Sequence, residues 1–397
     1  MQCLAVVPAR GGSRGVARKN VKSLAGKPLI VHTLEAAQQA TRVTRVVVST
    51  DDPEIGAVAK AAGVDVIWRP EAISGHQATS ESAVLHALQF LAEQEQYVPD
   101  LVMLLQCTSP FTLPEDLDGA VETLVSQSAD SCFTAVPFFH FVWAPGSNAE
   151  AVGVNHEGKK RKRRQDLPPQ YLENGAVYVM RNQVFREEEE RFCGKTVVHV
   201  VPEDRALEID TPLDFATAEV HMRARHRQGF RPLLPATPGA LVMDFDGVLS
   251  DNAVYVDQNG VEAVRCDRGD GLGLSMLKKT GLPLLILSKE QNPVVTRRAE
   301  KLGIECLQGI DEKRGALTAW AEARQIPMGD IIFVGNDVND LPPLTAVGCP
   351  VCPADAVDEV RTTAKIVLTR PGGHGAIREL CDVLVDHLQA KTSPSQP

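Results

Sequence analysis

The chain reads as two successive α/β domains, each a largely parallel sheet with helices on both faces. Three observations carry that reading. Short apolar runs alternate with longer helix-like stretches along residues 4–201, the pattern of βα units. The alternation breaks at 227–239, RQGFRPLLPATPG, where three prolines and two glycines give a linker composition. It resumes with an apolar run at 240–245 and continues to 368. The expected bounds are a first domain over 1–226, a linker over 227–239, a second domain over 240–389 and a disordered tail over 390–397. A chain of 397 residues has the length for two domains.

In the first domain, strands are expected over 4–7, 45–49, 64–68, 101–105, 131–136, 176–180 and 196–201, with helices over 29–40, 53–62, 80–96 and 114–126. Ser80-Glu81-Ser82 suits a helix start, and Pro114-Glu115-Asp116 puts proline and acids in a first turn. In the second domain, strands are expected over 240–245, 282–287, 331–334 and 366–368, with helices over 272–279, 293–302 and 313–324.

Composition removes several function classes. A net charge of −10 argues against general nucleic-acid binding. No apolar run reaches bilayer length, so no membrane role is expected. The opening MQCLAVVPAR lacks the basic start of a signal peptide, which points to an intracellular, cytoplasmic protein. Nine scattered cysteines fit reduced thiols. The pair Cys349-Pro-Val-Cys352 has no second pair or histidines at zinc-ligand spacing, so a structural role is expected.

The first strand ends at Pro8 and opens into Arg10-Gly11-Gly12-Ser13-Arg14-Gly15, then Lys19-Asn20. Glycines permit positive φ, so several N–H groups can face one concavity. Arg10, Arg14 and Lys19 add positive charge, which suits a nucleoside triphosphate. The segment has neither Walker A nor G-x-G-x-x-G spacing. It resembles the nucleotide loop of the N-acylneuraminate cytidylyltransferases, the CMP-sialic acid synthetases. The same family pattern is matched by Ser49-Thr50-Asp51-Asp52, by Gln106-Cys107-Thr108-Ser109-Pro110, by Arg163-Arg164-Gln165-Asp166 with Glu173-Asn174-Gly175, and by Glu208-Ile209-Asp210. The resemblance covers about residues 1–225. It implies a nucleotide-diphospho-sugar-transferase-like α/β domain that joins CTP to a sugar acid. It also implies sugar contacts from Gln106, Arg163, Arg164, Gln165, Glu173 and Asn174, and Mg²⁺ at Glu208 and Asp210. Arg10 and Lys19 would neutralise the triphosphate, and Asn20 would read base or ribose. The family often has aspartate where Glu208 stands. The basic run 159–164 also has the composition of a nuclear-import signal, which keeps a nuclear location open for a eukaryotic source. The acidic run 187–190 reads as a solvated helix face.

The second apolar run ends in Asp244-Phe245-Asp246-Gly247-Val248-Leu249. Strand alternation would put Asp244 and Asp246 on one side, towards one Mg²⁺. The segment resembles the first motif of haloacid-dehalogenase-type phosphatases, of the capless Rossmannoid kind that acts on 3-deoxy-octulosonate 8-phosphate and on nine-carbon sugar-acid 9-phosphates. The resemblance implies Asp244 as nucleophile, Asp246 as acid and base, Ser288 and Lys313 on the phosphate, and a metal segment in Gly335-Asn336-Asp337-Val338-Asn339-Asp340 with Asp337 as ligand. Asn336 stands where aspartate is common.

The joint expectation is a fused enzyme that needs Mg²⁺ in both domains. The first domain would transfer CMP to a nine-carbon α-keto sugar acid and release pyrophosphate. The second would hydrolyse the 9-phosphate of such an acid. The alternative is transfer to legionaminate, pseudaminate, an octulosonate or a phosphonate, with the C-terminal domain a scaffold. The resemblance implies a homo-oligomer, a dimer through the first domain and a tetramer through the second.

Overall fold

The opening apolar run forms β1 (Cys3–Pro8), buried along almost its whole length. Its side chains alternate between two cores. Cys3, Ala5 and Val7 pack into one cluster, Leu4 and Val6 into the other. A strand that buries both faces belongs in the middle of a sheet covered by helices on each side.

In this computed structural model, the described residues are all but 13–14, 76–77, 148–149, 159–162, 164–165 and 393–397. They divide into two units, Met1–Met222 and Arg223–Pro397. In the first, α1 (Leu29–Gln39), β2 (Arg45–Thr50), α2 (Pro53–Ala61), β3 (Asp65–Trp68), α3 (Ser80–Glu95), β4 (Leu101–Leu105), α4 (Pro114–Ser126), β5 (Ser131–Pro137), β6 (Tyr171–Arg181) and β7 (Thr196–Val200) follow β1. They build a seven-stranded sheet in the order β7-β5-β6-β4-β1-β2-β3. Six of these strands are parallel to one another, and β6 runs antiparallel between β4 and β5. Alternation alone could not reveal that reversal. The register of β6 against β5 shifts between Glu173 and Tyr178, where Gly175 takes φ +62.

α5 (Pro212–Phe230) follows. Its length corrects the expected linker: helix continues through 227–230, a short 3-10 turn follows at Arg231–Leu233, and chain without helix or strand precedes the next strand. Pro232, Pro235 and Pro238 do end the helix, but Gly229 is tolerated within it. The division between units falls inside α5, at 222/223.

In the second unit, β8 (Ala240–Met243), β9 (Ser250–Val256), β10 (Glu262–Cys266), α6 (Arg268–Lys278), β11 (Leu284–Leu287), α7 (Val294–Leu302), β12 (Glu305–Leu307), α8 (Lys313–Glu322), β13 (Ile331–Val334), β14 (Cys349–Cys352), β15 (Ile366–Val367) and α9 (Ala376–Thr392) form a second layered unit. Its six-stranded sheet has the order β12-β11-β8-β13-β14-β15 and every pairing is parallel. Again the central strand splits its side chains: Leu241 and Met243 enter one core, Ala240 and Val242 the other. The β9–β10 hairpin pairs antiparallel outside this sheet, and it is what stands between β8 and α6. α9 runs three residues into the expected disordered tail; its buried stripe, Ile377, Leu380, Cys381 and Leu384, fixes it to the core. Cys349 and Cys352 lie in buried strand β14, and burial pushes their thiols up to about 11 and about 12. Among the described residues no helix is long and apolar enough to cross a membrane.

One buried ion pair fastens the edge of the first unit. Arg205 pairs with Asp116, whose side chain is 4 % exposed, and with Glu115 at 3.1 Å. Asp116 also accepts from the Leu113 N–H at the start of α4. Removing one partner of such a pair strands the other charge. Arg205→Met should therefore cost about 3 kcal/mol, read as a lower chemical-denaturation midpoint of the full chain; an unchanged midpoint would refute the role given to the pair.

Candidate active sites

The loop after β1 is held by the segment after β2. The Gly11 N–H donates to Asp51 Oδ1 at 3.2 Å, and Arg18 donates to Asp52. That guanidinium holds the Asp52 carboxyl below its usual range, and Asp52 also caps α2. Gly11 is not at positive φ, contrary to the expectation; it is glycine because a Cβ there would strike the Asp52 carboxylate. A Cβ at Gly15 would strike the Asp210 carbonyl. The loop and the Glu208-Ile209-Asp210 segment, nearly 200 residues apart in sequence, thus touch backbone to backbone.

This contact forms one wall of a cavity of about 350 Å³ lined by Arg10, Gly15, Lys19, Asn20, Gln106 and Asp210 among the expected residues. Gln106 sits directly past β4, at the carboxyl ends of the parallel strands, where doubly wound sheets bind ligands. Lys19 Nζ donates to the Ile209 carbonyl at 2.6 Å and lies 3.5 Å from Asp210 Oδ1. Asn20 Nδ2 donates to the Arg10 carbonyl at 3.2 Å, so part of its amide braces the loop. Thr108 donates to Glu208 at 3.1 Å. Burial, and then the charge of Asp210, pushes the Glu208 carboxyl up. Two neighbouring carboxylates with hard oxygen donors suit a divalent cation. Gly175 belongs to the same arrangement: a Cβ there would meet the Glu208 carboxylate.

The cavity also contains groups the sequence did not signal. Arg69 lines it, buried, with Nη2 on the Ser49 carbonyl at 2.7 Å. Thr79 and Ser80, at the start of α3, line it too. A lone arginine after a strand has no motif to mark it. Cys107 is present as a neutral thiol, since burial pushes it up to about 12.

The expected sugar residues divide. Gln106 is in the cavity. Glu173 accepts from the Tyr178 hydroxyl. Asn174 is buried and its amide is spent inside the fold, Oδ1 accepting from Thr134 at 2.7 Å and Nδ2 donating to the Arg205 carbonyl at 3.3 Å. It is not among the residues that line the cavity. Arg163 is exposed and pairs with Asp166 at 2.8 Å, away from the cavity lining. Ser13, Arg14, Arg164 and Gln165 lie outside the described residues. Gly12 is described but does not line the cavity.

In the second unit Asp244, Asp246 and Ser288 line a cavity of about 420 Å³ with Lys289, Glu290, Gln291, Asp311 and Asn339. Asp244 and Asp246 are not in the strand, which ends at Met243; alternation is therefore not what aims them. The Asp244 N–H donates to Val334 at 2.9 Å, and the chain then turns, with the Leu249 N–H closing on the Phe245 carbonyl. Ser288 follows β11, its hydroxyl accepting from the Glu290 N–H at 3.1 Å. Lys313 begins α8 and reaches behind the cavity, Nζ lying 2.9 Å from Asp244 and 2.7 Å from Asp340. Burial, then the Asp340 charge, pushes Asp244 up, and Lys313 opposes the rise. Burial also pushes Asp246 up.

The metal segment differs from the expectation. Asp337 turns back to its own loop and caps the turn at Val338, outside the cavity lining. Asp340 is spent on Lys313 and on the Asn336 N–H at 2.9 Å. Asn336 is buried and its Oδ1 has no hydrogen-bond partner. It packs on Gly247, which holds φ +73 and has no room for a Cβ. Among the described residues no three His, Cys, Asp or Glu side chains form a metal cluster; two carboxylates plus the orphaned Asn336 oxygen do make a hard-oxygen set that fits Mg²⁺.

Fold and sites define a two-domain enzyme, a nucleotidyltransferase-like α/β domain followed by a phosphoryl-handling α/β domain. Residues 4–226 match the cytidylyltransferase family and residues 290–380 the haloacid dehalogenase-like hydrolases. N-acylneuraminate cytidylyltransferase A of Danio rerio is 30% identical over 99% of this chain and 91% of its own length. Pseudaminic acid cytidylyltransferase of Campylobacter jejuni is 31% identical over 58% of this chain and all of its own. A solved HAD family hydrolase of Streptomyces avermitilis is 51% identical, covering 38% of this chain and 87% of its own, with TM-score 0.37. The chain belongs to the N-acylneuraminate cytidylyltransferase family and carries a haloacid dehalogenase-like domain behind its transferase domain.

The Lys313 cluster yields a pH test. Lys313→Met would leave Asp244 and Asp340 buried without a cation, and would raise the Asp244 carboxyl, already pushed up by burial, further above its unfolded value, near 3.9. Groups raised on folding lose stability as pH rises through the folded pKa. The variant should lose about 3 kcal/mol near neutrality and recover part of it towards pH 5, measured as denaturation midpoints across that range. A deficit independent of pH would refute this account.

Proposed function

We propose that the first domain transfers CMP from CTP to a nine-carbon α-keto sugar acid and that the second hydrolyses the 9-phosphate of such an acid. The observation that carries the first half is the convergence of Arg10, Lys19, Arg69, Gln106 and Asp210 on one cavity at the strand ends. In the reaction the anomeric oxygen of the acid bonds to the α-phosphorus as the bond to pyrophosphate breaks. Arg10 and Lys19 would balance the triphosphate charge, and Gln106 would orient the sugar. Glu208 and Asp210 would hold Mg²⁺. Arg163 with its neighbours remains a proposed partner for the sugar carboxylate.

In the second domain Asp244 would attack the phosphorus while Asp246, held up by burial, protonates the departing sugar oxygen. Asp246 would then take a proton from the water that cleaves the aspartyl phosphate. Ser288 and Lys313 would hold phosphate oxygens. Asp244, Asp246 and Asn336 would hold Mg²⁺, which when bound neutralises charge on the transferring group. Nine free thiols suit a reducing compartment, and we place the enzyme in the cytoplasm. Homo-oligomers would cover two apolar patches: Val142, Trp143, Val152 and Tyr171 in the first unit, and Val254, Tyr255, Val256 and Val261 on the second unit's hairpin.

The first test is pyrophosphate release from CTP and Mg²⁺ with N-acetylneuraminate, its deaminated form, legionaminate, pseudaminate and 3-deoxy-octulosonate. Preference for a neuraminate or its deaminated form supports the reading; preference for pseudaminate or legionaminate, nine-carbon acids without a 9-hydroxyl, overturns the pairing with a 9-phosphate, and preference for 3-deoxy-octulosonate or silence across the panel overturns the sugar assignment. Asp244→Asn should reduce sugar-acid phosphatase activity at least about 10³-fold, roughly 4 kcal/mol, and leave cytidylyl transfer intact. Asp210→Asn should do the reverse. Wild-type protein that releases no phosphate from any such ester would reduce the second domain to a scaffold.

A further inference from the structure

The second unit contains a cationic cavity that neither reaction uses. Its volume is about 110 Å³, and Arg223, Arg227, Arg370 and Arg378 line it with Glu379 and Asp382. Arg223 and Arg227 are four residues apart on α5 and so share a face. Arg378, Glu379 and Asp382 stand on the first turns of α9. All four arginines are half-buried.

Both carboxylates are already engaged. Glu379 accepts through both oxygens from the Thr369 N–H and hydroxyl, at 2.9–3.2 Å. Asp382 accepts from Arg378 Nε at 2.7 Å. No side-chain hydrogen bond or ion pair of Arg227 or Arg370 is present among the described residues, and both guanidiniums border the cavity. Arg227 and Arg370 bring two positive charges to the cavity while Glu379 and Asp382 are held by Thr369 and Arg378, and one dianion would match that pair. Guanidinium forks match tetrahedral oxyanions bidentately, and the volume suits a single phosphate group rather than a whole nucleotide.

We propose that this cavity binds a phosphate-type dianion, either free phosphate or the phosphate of a small monoester. The anion would bridge Arg227 on α5 to Arg370 just before α9, two stretches far apart in the chain, and would stabilise the unit that holds them. The proposal is independent of the reactions assigned to the two active sites.

The test is calorimetric titration of the full chain in EDTA with inorganic phosphate and, separately, with CMP. One phosphate event in the wild type should weaken at least tenfold in Arg227→Gln and in Arg370→Gln, and phosphate should no longer raise their melting temperatures. Arg227→Lys, which keeps the charge and loses the fork, should fall between. Cytidylyl transfer and sugar-acid phosphatase activity without added phosphate should be unchanged in Arg227→Gln, which also shows that it folds. Loss of a phosphate event alone assigns free phosphate; parallel loss of a CMP event assigns a phosphate monoester. Equal phosphate affinity in the wild type and the Arg227→Gln/Arg370→Gln double variant overturns the proposal.

Discussion

The Lys313 ammonium, with 1 % of its side chain exposed, stays charged inside the protein only because Asp244 and Asp340 flank it. Charge cannot be left in a low-dielectric interior without a partner, and the second unit is arranged to satisfy that rule. β8 and β13 must lie side by side so that the Asp244 N–H reaches Val334. α8 must start where it does so that Lys313 enters beneath the strand ends. Gly335 must lack a side chain because Asp340 folds back over it to meet the lysine. The cluster leaves the Asp244 carboxylate at the cavity and one orphaned amide oxygen, Asn336 Oδ1, beside the tight turn at Gly247. The contacts that satisfy the buried charge are the same ones that set the cavity's carboxylate in place.

The first unit solves a similar problem with less burial. Lys19 is 13 % exposed in its side chain and leans on the Ile209 carbonyl more closely than on Asp210. That choice leaves the Asp210 carboxylate, 69 % exposed, facing the cavity. Glu208 is sheltered instead, tied to Thr108 and stacked against Gly175. The longer arm of glutamate in the place where the family often has aspartate is therefore accommodated by a glycine that could not carry a side chain.

The sequence exposed the architecture because both central strands bury both faces, and runs such as LAVV and ALVM can do little else. It concealed what depends on partners distant in the chain. The antiparallel direction of β6 leaves no trace in its own residues. The β9–β10 hairpin is half exposed and carries no strong apolar alternation. α9 was hidden behind a polar tail. At the sites, glycines, aspartates and lysines in motifs were legible because spacing encodes them. Arg69 was not, since what makes it a pocket residue is a hydrogen bond to the Ser49 carbonyl. Asn174 was legible as part of a motif, but only the fold shows its amide bonded to Thr134 and to the Arg205 carbonyl.

The departures from the family pattern follow one principle. At Asn336 an amide replaces a carboxylate beside Asp244, Asp246 and Asp340, where a further negative charge would raise the cost of burying the others. An amide still offers an oxygen, but it adds no negative charge, so Asp244 depends less on Lys313 to stay ionised than it would beside another aspartate. The same economy holds at Glu208, where burial and the Asp210 charge already work against ionisation.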